Sequence, residues 1–336
     1  MHRRNFLIMG AGAVAALAQE KAEDKKPDDA FVAGATQDPT PRVGIILSSF
    51  KEGEEDDGTK IPGLAAPQPP TADLTPAQFE AWVRRAIDLA ALKHSEFFEM
   101  IEPEDWLVIK TQSRADSRIV GIAISYLAER KRGLRYTIID RLPQGGDWPQ
   151  EYRKLVSDLT AKFPKPRFEL VDLNSAATAE LPVADKPGVK YGIPKIVQQC
   201  DRLISIAPLA TDPAMGVSLS VGNYAAIASK PVTTDEALID VFSYRSADLA
   251  LVGGCVGYEG DGTQVHYNVL ISGMKAVAVD SIAASVMGYK PADLPYLAMG
   301  EKRGFGSWDP DEIWTRGNEI KEARREFKKP SGWRKG

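Results

Sequence analysis

The chain has 336 residues, 43% of them hydrophobic and 26% charged, and 42 Lys+Arg against 46 Asp+Glu give a formal charge of −4. That length suffices for one large α/β domain or two small ones, and we expect one with decorations. A mildly acidic balance argues against nucleic acid as a partner, and two cysteines are too few to ligate an iron–sulfur cluster.

The first 18 residues read as a targeting segment. Arg3 and Arg4 precede Asn5-Phe6-Leu7 and a short Gly/Ala-rich apolar run ending in Ala16-Leu17-Ala18, the pattern of a twin-arginine export signal. The run is too short and too small-sided to span a membrane well, so we expect cleavage after residue 18, a periplasmic or otherwise exported product, and no stable membrane span. An uncleaved N-terminal anchor is the alternative. Cleavage removes two arginines and no acid, leaving 40 basic against 46 acidic residues and a formal charge of −6. Residues 19–40 are charged and aperiodic, a tether between signal and folded body.

Arg42–Phe50 is the first expected strand. An acidic run (52–57) and a proline-rich run (64–70) mark a long surface loop without the alternating ligand pattern of a calcium loop. Thr75-Pro76-Ala77-Gln78 supplies the cap, the proline and the capping-box glutamine of a helix start, and Phe79, Trp82, Val83, Ala86, Ile87 and Ala90 continue a helical stripe. Trp106–Lys110 then reads as a strand, Ser117–Arg132 as a helix, Leu134–Asp140 as a strand and Trp148–Phe163 as a helix. Arg167–Leu173 follows as a strand, Ile193–Cys200 as a short helix and Arg202–Pro208 as a strand. This alternation predicts an α/β fold with a mainly parallel sheet and helices on both faces, a Rossmann-like three-layer sandwich spanning residues 41–317. Pro291 onward reads as helical and aromatic. The basic segment 318–336 reads as a frayed, solvated helix without a strong apolar face, although a contact with anionic lipid is conceivable.

In an open parallel sheet, ligands bind beyond the carboxyl ends of the strands. The residues just past the expected strands are Lys110, Thr111, Gln112 and Arg114, then Asp140 and Arg141, Asp172 and Asn174, Thr211 and Asp212, and finally Glu259 and Asp261. This mixed-charge ring suits a small polar or anionic ligand, with Lys110 and Arg114 on the cationic side. Equally, such loops are polar whether or not they bind anything.

Asp248–Gly288 reads as a buried strand (Leu249–Val252), a glycine-rich turn, a second strand (Tyr267–Ser272) and a helix with Ala276, Val279, Ala283 and Val286 on one face. Six glycines between Gly253 and Gly273 allow positive φ or close backbone approach, so this turn is either a pocket wall or a tight connection. The stretch resembles the C-terminal part of the domain of unknown function 362 family of bacterial and archaeal proteins. The resemblance rests on Gly257, Glu259, Gly260, Gly262, Ala276–Asp280, Met287, Gly288, Tyr289, Gly304 and Gly306, and extends over Asp105–Gly317. It implies a fold but no reaction. Relatives carry lysine-proline-asparagine after the first conserved strand, where this chain keeps Lys110 but has Thr111 and Gln112. Ala210 and Asp212 replace a lysine and a histidine, while Asn223 is retained in Gly222-Asn223 without the lysine that accompanies it in relatives. These departures imply a branch with an altered ligand or a non-catalytic descendant.

Other classes are set aside. His2 leaves with the signal, and His94 and His266 form no paired-ligand or triad pattern. GxGxxG after the first strand and GxxxxGK[ST] are both missing, so classical dinucleotide and P-loop sites are not expected. A hard cation on Asp212, Glu259, Asp261 and Asp280 is a minor alternative to Asp280 serving its own helix and Asp261 its own turn. The expected function is binding of a small polar or anionic ligand by Lys110, Arg114, Asp212, Asn223, Glu259 and Asp261. The alternative is a binding or structural module without catalysis. The residues name no cofactor, reaction or oligomeric state. Cys200 and Cys255 flank two strands at opposite ends if those strands are parallel, so no disulfide is expected.

Overall fold

The computed structural model describes residues 40–48, 74–91, 96–112, 114–230 and 232–333. The export signal, most of the tether, the loop at 52–70 and His94 lie outside these residues.

The strands are β1 (Arg42–Leu47), β2 (Trp106–Lys110), β3 (Arg135–Asp140), β4 (Arg167–Asp172), β5 (Thr178–Pro182), β6 (Lys190–Pro194), β7 (Arg202–Ala207), β8 (Ala210–Asp212), β9 (Gly216–Ser218), β10 (Leu249–Glu259), β11 (Thr263–Gly273) and β12 (Trp314–Gly317). The helices are α1 (Pro76–Leu89), α2 (Glu96–Glu99), α3 (Ser117–Arg130), α4 (Gln150–Lys162), α5 (Lys195–Gln199), α6 (Asp235–Tyr244), α7 (Ala276–Val286), α8 (Pro295–Lys302) and α9 (Ile320–Ala323). A 3-10 turn at Gly222–Ala226 precedes α6.

The main sheet has the order β12-β1-β11-β10-β7-β2-β3-β4, with β8 joined to β10 and β9 to β8. Neighbours from β10 to β4 are parallel, whereas β11 runs antiparallel to both β10 and β1. The fold is therefore α/β with a mostly parallel, mixed sheet. β5 and β6 form a separate two-stranded pair. The intervening 182–189 turn is closed by Val183 N–H donating to Val189 O at 3.0 Å.

Strand alternation divides the apolar side chains between two cores. Leu107 and Ile109 of β2 join Phe79, Trp82, Ile119 and Tyr152, so α1, α3 and α4 cover one face. Val108 joins Tyr224, Leu238, Val277 and Leu297, so the 3-10 turn, α6, α7 and α8 cover the other. Lys110 shares the parity of Val108, which aims its side chain toward the 3-10 turn. The first helix forms as its sequence dictates: Thr75 accepts from the Gln78 backbone N–H at 3.3 Å, and Gln78 accepts from the Thr75 N–H at 2.9 Å.

Three expectations change. β10 does not end at Val252: it continues to Glu259 through a register shift between Gly254 and Val256, so Gly253 and Gly254 belong to a bulged strand and the turn is confined to Gly260–Gly262. The helix expected from Ile193 begins at Lys195, because Lys190–Pro194 pairs as β6. The basic C-terminal segment is no solvated helix beyond α9. Phe327 and Pro330 are buried, and the Arg325 and Phe327 N–H groups donate to Val286 and Met287 carbonyls at 2.8 and 2.9 Å. Apolar positions three apart in an extended chain, not on a helical stripe, hold it to the body. No helix among the described residues is long and apolar enough to cross a membrane.

Candidate functional site

From β2 the chain proceeds to β3 and β4 on one side, whereas β7, on the other side of β2, leads toward β10. The connections leaving β2 and β7 therefore diverge, one into α3 on the first face and the other into the 3-10 turn on the second. Open α/β sheets take ligands at the carboxyl ends of two strands whose connections diverge in this way, the position termed the crevice.

The crevice floor is a closed polar cluster. Lys110 is fully buried, and its Nζ donates to Asp140 Oδ1 at 2.9 Å, Asn223 Oδ1 at 2.8 Å and Thr111 O at 2.6 Å. An ammonium has three protons, and all three are engaged. Burial lowers the Lys110 pKa, and Asp140 opposes that shift. Asn223 Nδ2 donates to Lys110 O at 2.9 Å and to Ser205 Oγ at 3.1 Å, and Ser205 in turn donates to Ser220 O at 3.0 Å. Lys110 was expected to face a ligand; instead it is the internal tie between β2, β3 and the 3-10 turn.

The 3-10 turn is positioned from behind by Asp280. This carboxylate is fully buried in α7 and accepts from the Ser220 and Val221 N–H groups at 2.9 Å each and from Tyr296 OH at 3.1 Å. Burial pushes its pKa up to about 7, against the opposing pull of those three donors. Asp280 thus serves a distant turn, not its own helix.

Above the floor, five residues enclose a patch. Gln112 Nε2 donates to Ser218 Oγ at 3.2 Å. Ser218 pairs with Ala210, and Ala210 pairs with Tyr258, so the three side chains share one face across about 10 Å, two strand spacings. Tyr258 OH donates to Arg114 O at 3.2 Å, and the Arg114 guanidinium lies 5.3 Å from the Tyr258 ring centroid. Arg114 is exposed and has no carboxylate partner among the described residues. The circuit closes because Gln112 and Arg114 belong to one loop. The N-terminus of α3 beside this loop holds its own anion: Asp116 accepts from Arg118 N–H at 3.0 Å and pairs with the Arg118 guanidinium at 2.6 Å. A ligand phosphate there would face that carboxylate.

Of the six residues expected to converge, Lys110 and Asn223 meet in the floor and Arg114 stands on the enclosing circuit. Of the other three, Asp212 holds a turn, and Glu259 and Asp261 hold the C-terminal segment. Asp212 accepts from Ala214 and Met215 N–H groups at 2.8 and 2.9 Å within the β8–β9 connection, Glu259 accepts from Lys328 N–H at 3.1 Å, and Asp261 accepts from Ser331 Oγ at 3.1 Å. The four carboxylates considered for a cation are thus engaged separately, and no group of three or more potential ligands among the described residues is arranged to hold a metal ion. Ser218 and Tyr258 escaped sequence reasoning. An aromatic residue set between Gly257 and Gly260 was the available signal for Tyr258, whereas Ser218 had none.

No curated protein matches the chain. Solved structures match part of it, among them these two. The lactate racemase apoprotein from Thermoanaerobacterium thermosaccharolyticum is 15% identical over 58% of this chain and 52% of that one, with a TM-score of 0.37. The pyocyanin biosynthetic protein PhzM is 14% identical over 55% and 46%, with a TM-score of 0.20. The chain therefore spans about half the length of either. The family model described as Domain of unknown function (DUF362) matches residues 111–285, which takes in the circuit and all of α7 but its last residue, and begins one residue after Lys110. With just over half its length matched, this chain belongs to the domain of unknown function 362 family.

Proposed function

We propose that the protein is an exported, non-catalytic binding module. Its ligand, a small polar or anionic molecule, sits on the circuit of Gln112, Arg114, Ser218 and Tyr258. The observation that carries this reading is the saturation of Lys110: with its three donors spent on Asp140, Asn223 and Thr111, it offers neither a base nor a nucleophile to a ligand. What remains is an exposed guanidinium beside an aromatic face, with a half-buried amide and hydroxyl, a set that orients a ligand by charge and hydrogen bonds. Export rests on Arg3, Arg4 and the Ala16-Leu17-Ala18 sequence.

One experiment tests both parts. The full-length chain is expressed in its own host, the cells are fractionated, and the exported pool is analysed by native mass spectrometry. The wild type should arrive without its first 18 residues and with a retained small-molecule mass. Arg114→Ala should arrive folded but empty, and the Arg3→Lys, Arg4→Lys double variant should stay inside as precursor. An Arg114→Ala protein that keeps the same mass would remove the site, and unchanged export of the double variant would remove the twin-arginine reading.

A further inference from the structure

The C-terminal segment from Arg325 to Trp333 spans the two hairpins that supply the far side of the circuit. At the β10–β11 tip, Gly260 N–H donates to Lys328 O at 2.6 Å, Glu259 accepts from Lys328 N–H at 3.1 Å, and Asp261 Oδ1 accepts from Ser331 N–H and Oγ at 3.3 and 3.1 Å. At the β8–β9 hairpin, Trp333 lies over Gly216, where an added Cβ would stand 2.7 Å from the indole Nε1. Between them, Phe327 is buried against Gly257, where an added Cβ would come within 2.9 Å of its ring. The glycines at 216 and 257 therefore leave space for this segment's two aromatic side chains. Past Val252, β10 no longer pairs with β7, and its outer half returns to the main body through the Tyr258–Ala210 bridge and the Tyr258 N–H bond to Leu209 O at 2.8 Å.

We infer that residues 325–333 form a clamp that fixes the overhanging ends of β8–β9 and β10–β11 to one another, and so sets the spacing of Ser218 and Tyr258 on the circuit. The clamp rests on the binding reading only in its consequence for a ligand; its mechanical role stands alone. Beyond those two Tyr258 contacts, the Thr211 hydroxyl of β8 donates to Gly260 O at 3.0 Å, and an overhang held by so few lateral contacts is a segment of low local stability unless something else holds it. Phe327 supplies apolar burial, and the backbone bonds at Gly260 and Ser331 supply registration. Loosening the clamp frees the hairpin ends without opening the sheet.

Amide hydrogen exchange on the full-length, ligand-free protein reads this directly. Phe327→Ala should speed exchange of the Gly260 and Tyr258 amides about tenfold or more, while β2 and β7 amides stay as protected as in the wild type. Phe327→Leu, which keeps most of the apolar volume, should restore slow exchange. Asp261→Ala removes one anchor with no loss from the core and should give a smaller rise confined to the same tip. Unchanged exchange at Gly260 in Phe327→Ala would overturn the clamp, as would a rise shared equally by β2 and β7, which marks global destabilisation. Because no ligand is present, failure here is distinct from failure of the binding site.

Discussion

Lys110 shows how a correctly located residue can be misread at the scale of a single side chain. The end of a parallel strand is where a lysine meets a ligand, and the sequence Trp106–Lys110 marks such an end. The partners that decide its role lie 30 and 113 residues further along, at Asp140 and Asn223, and no local pattern announces them. Once buried, the ammonium stabilises the fold by satisfying acceptors that would otherwise be desolvated without a donor. Lys110→Met keeps the length and apolar stem of the side chain but strands Asp140, Asn223 Oδ1 and Thr111 O. Removing one member of a buried ion pair costs about 3–5 kcal/mol, so chemical denaturation of Lys110→Met should give a loss in that range. A loss under about 1 kcal/mol, the range of exposed pairs, would mean that Lys110 reaches solvent.

At the scale of elements, the glycine-rich stretch was legible as strand, turn, strand and helix, but its boundaries were not. Gly253, with φ of 118°, reads locally as a strand end, yet cross-strand pairing with β11 carries β10 seven residues past the expected end at Val252 to Glu259. Pairing is a long-range term that overrides local preference. The helix α7 was legible as helical, yet all of its residues are buried rather than a single stripe, because the sheet, α8 and α9 surround it. Its Asp280 then becomes a pH-sensitive tie to the Ser220–Val221 backbone. The folded protein holds the Asp280 proton up to about 7, whereas an unperturbed aspartate releases it near 3.8. Between those values the unfolded chain binds fewer protons, so this contribution to stability is complete below the lower value and is lost as pH rises to the upper one. Tyr296 is the titratable side chain bonded to Asp280, and Asp235 stands behind it. Wild-type stability relative to Asp280→Asn, measured by urea denaturation, should therefore fall from about pH 4 to about pH 7 and level off above. A difference that stays flat or rises over that window would contradict the burial-driven shift.

For the whole molecule, the alternation of strands and helices was enough to predict an α/β fold with a mostly parallel sheet covered on both faces. Strand order was not legible, because it depends on which side of β2 each crossover falls, and the crevice follows from that order. The same topology decides the state of the two cysteines. Cys200 precedes β7, and Cys255 lies past the stretch of β10 that runs parallel to β7 from Leu249 to Val252. A strand of about six residues at about 3.3 Å each separates the two positions by roughly 20 Å, while a disulfide needs Cα atoms within about 7 Å. Neither cysteine is in a disulfide. The environments also differ: Cys200 is buried, with its thiol pushed up to about 11 by that burial, whereas Cys255 is partly exposed. Thiolate is the reactive form, so a maleimide should modify Cys255 of the native protein well before Cys200. The denatured, unreduced protein should yield both thiols. A count of zero after denaturation would require the two ends of the sheet to meet, which the parallel pairing of β7 with β10 forbids.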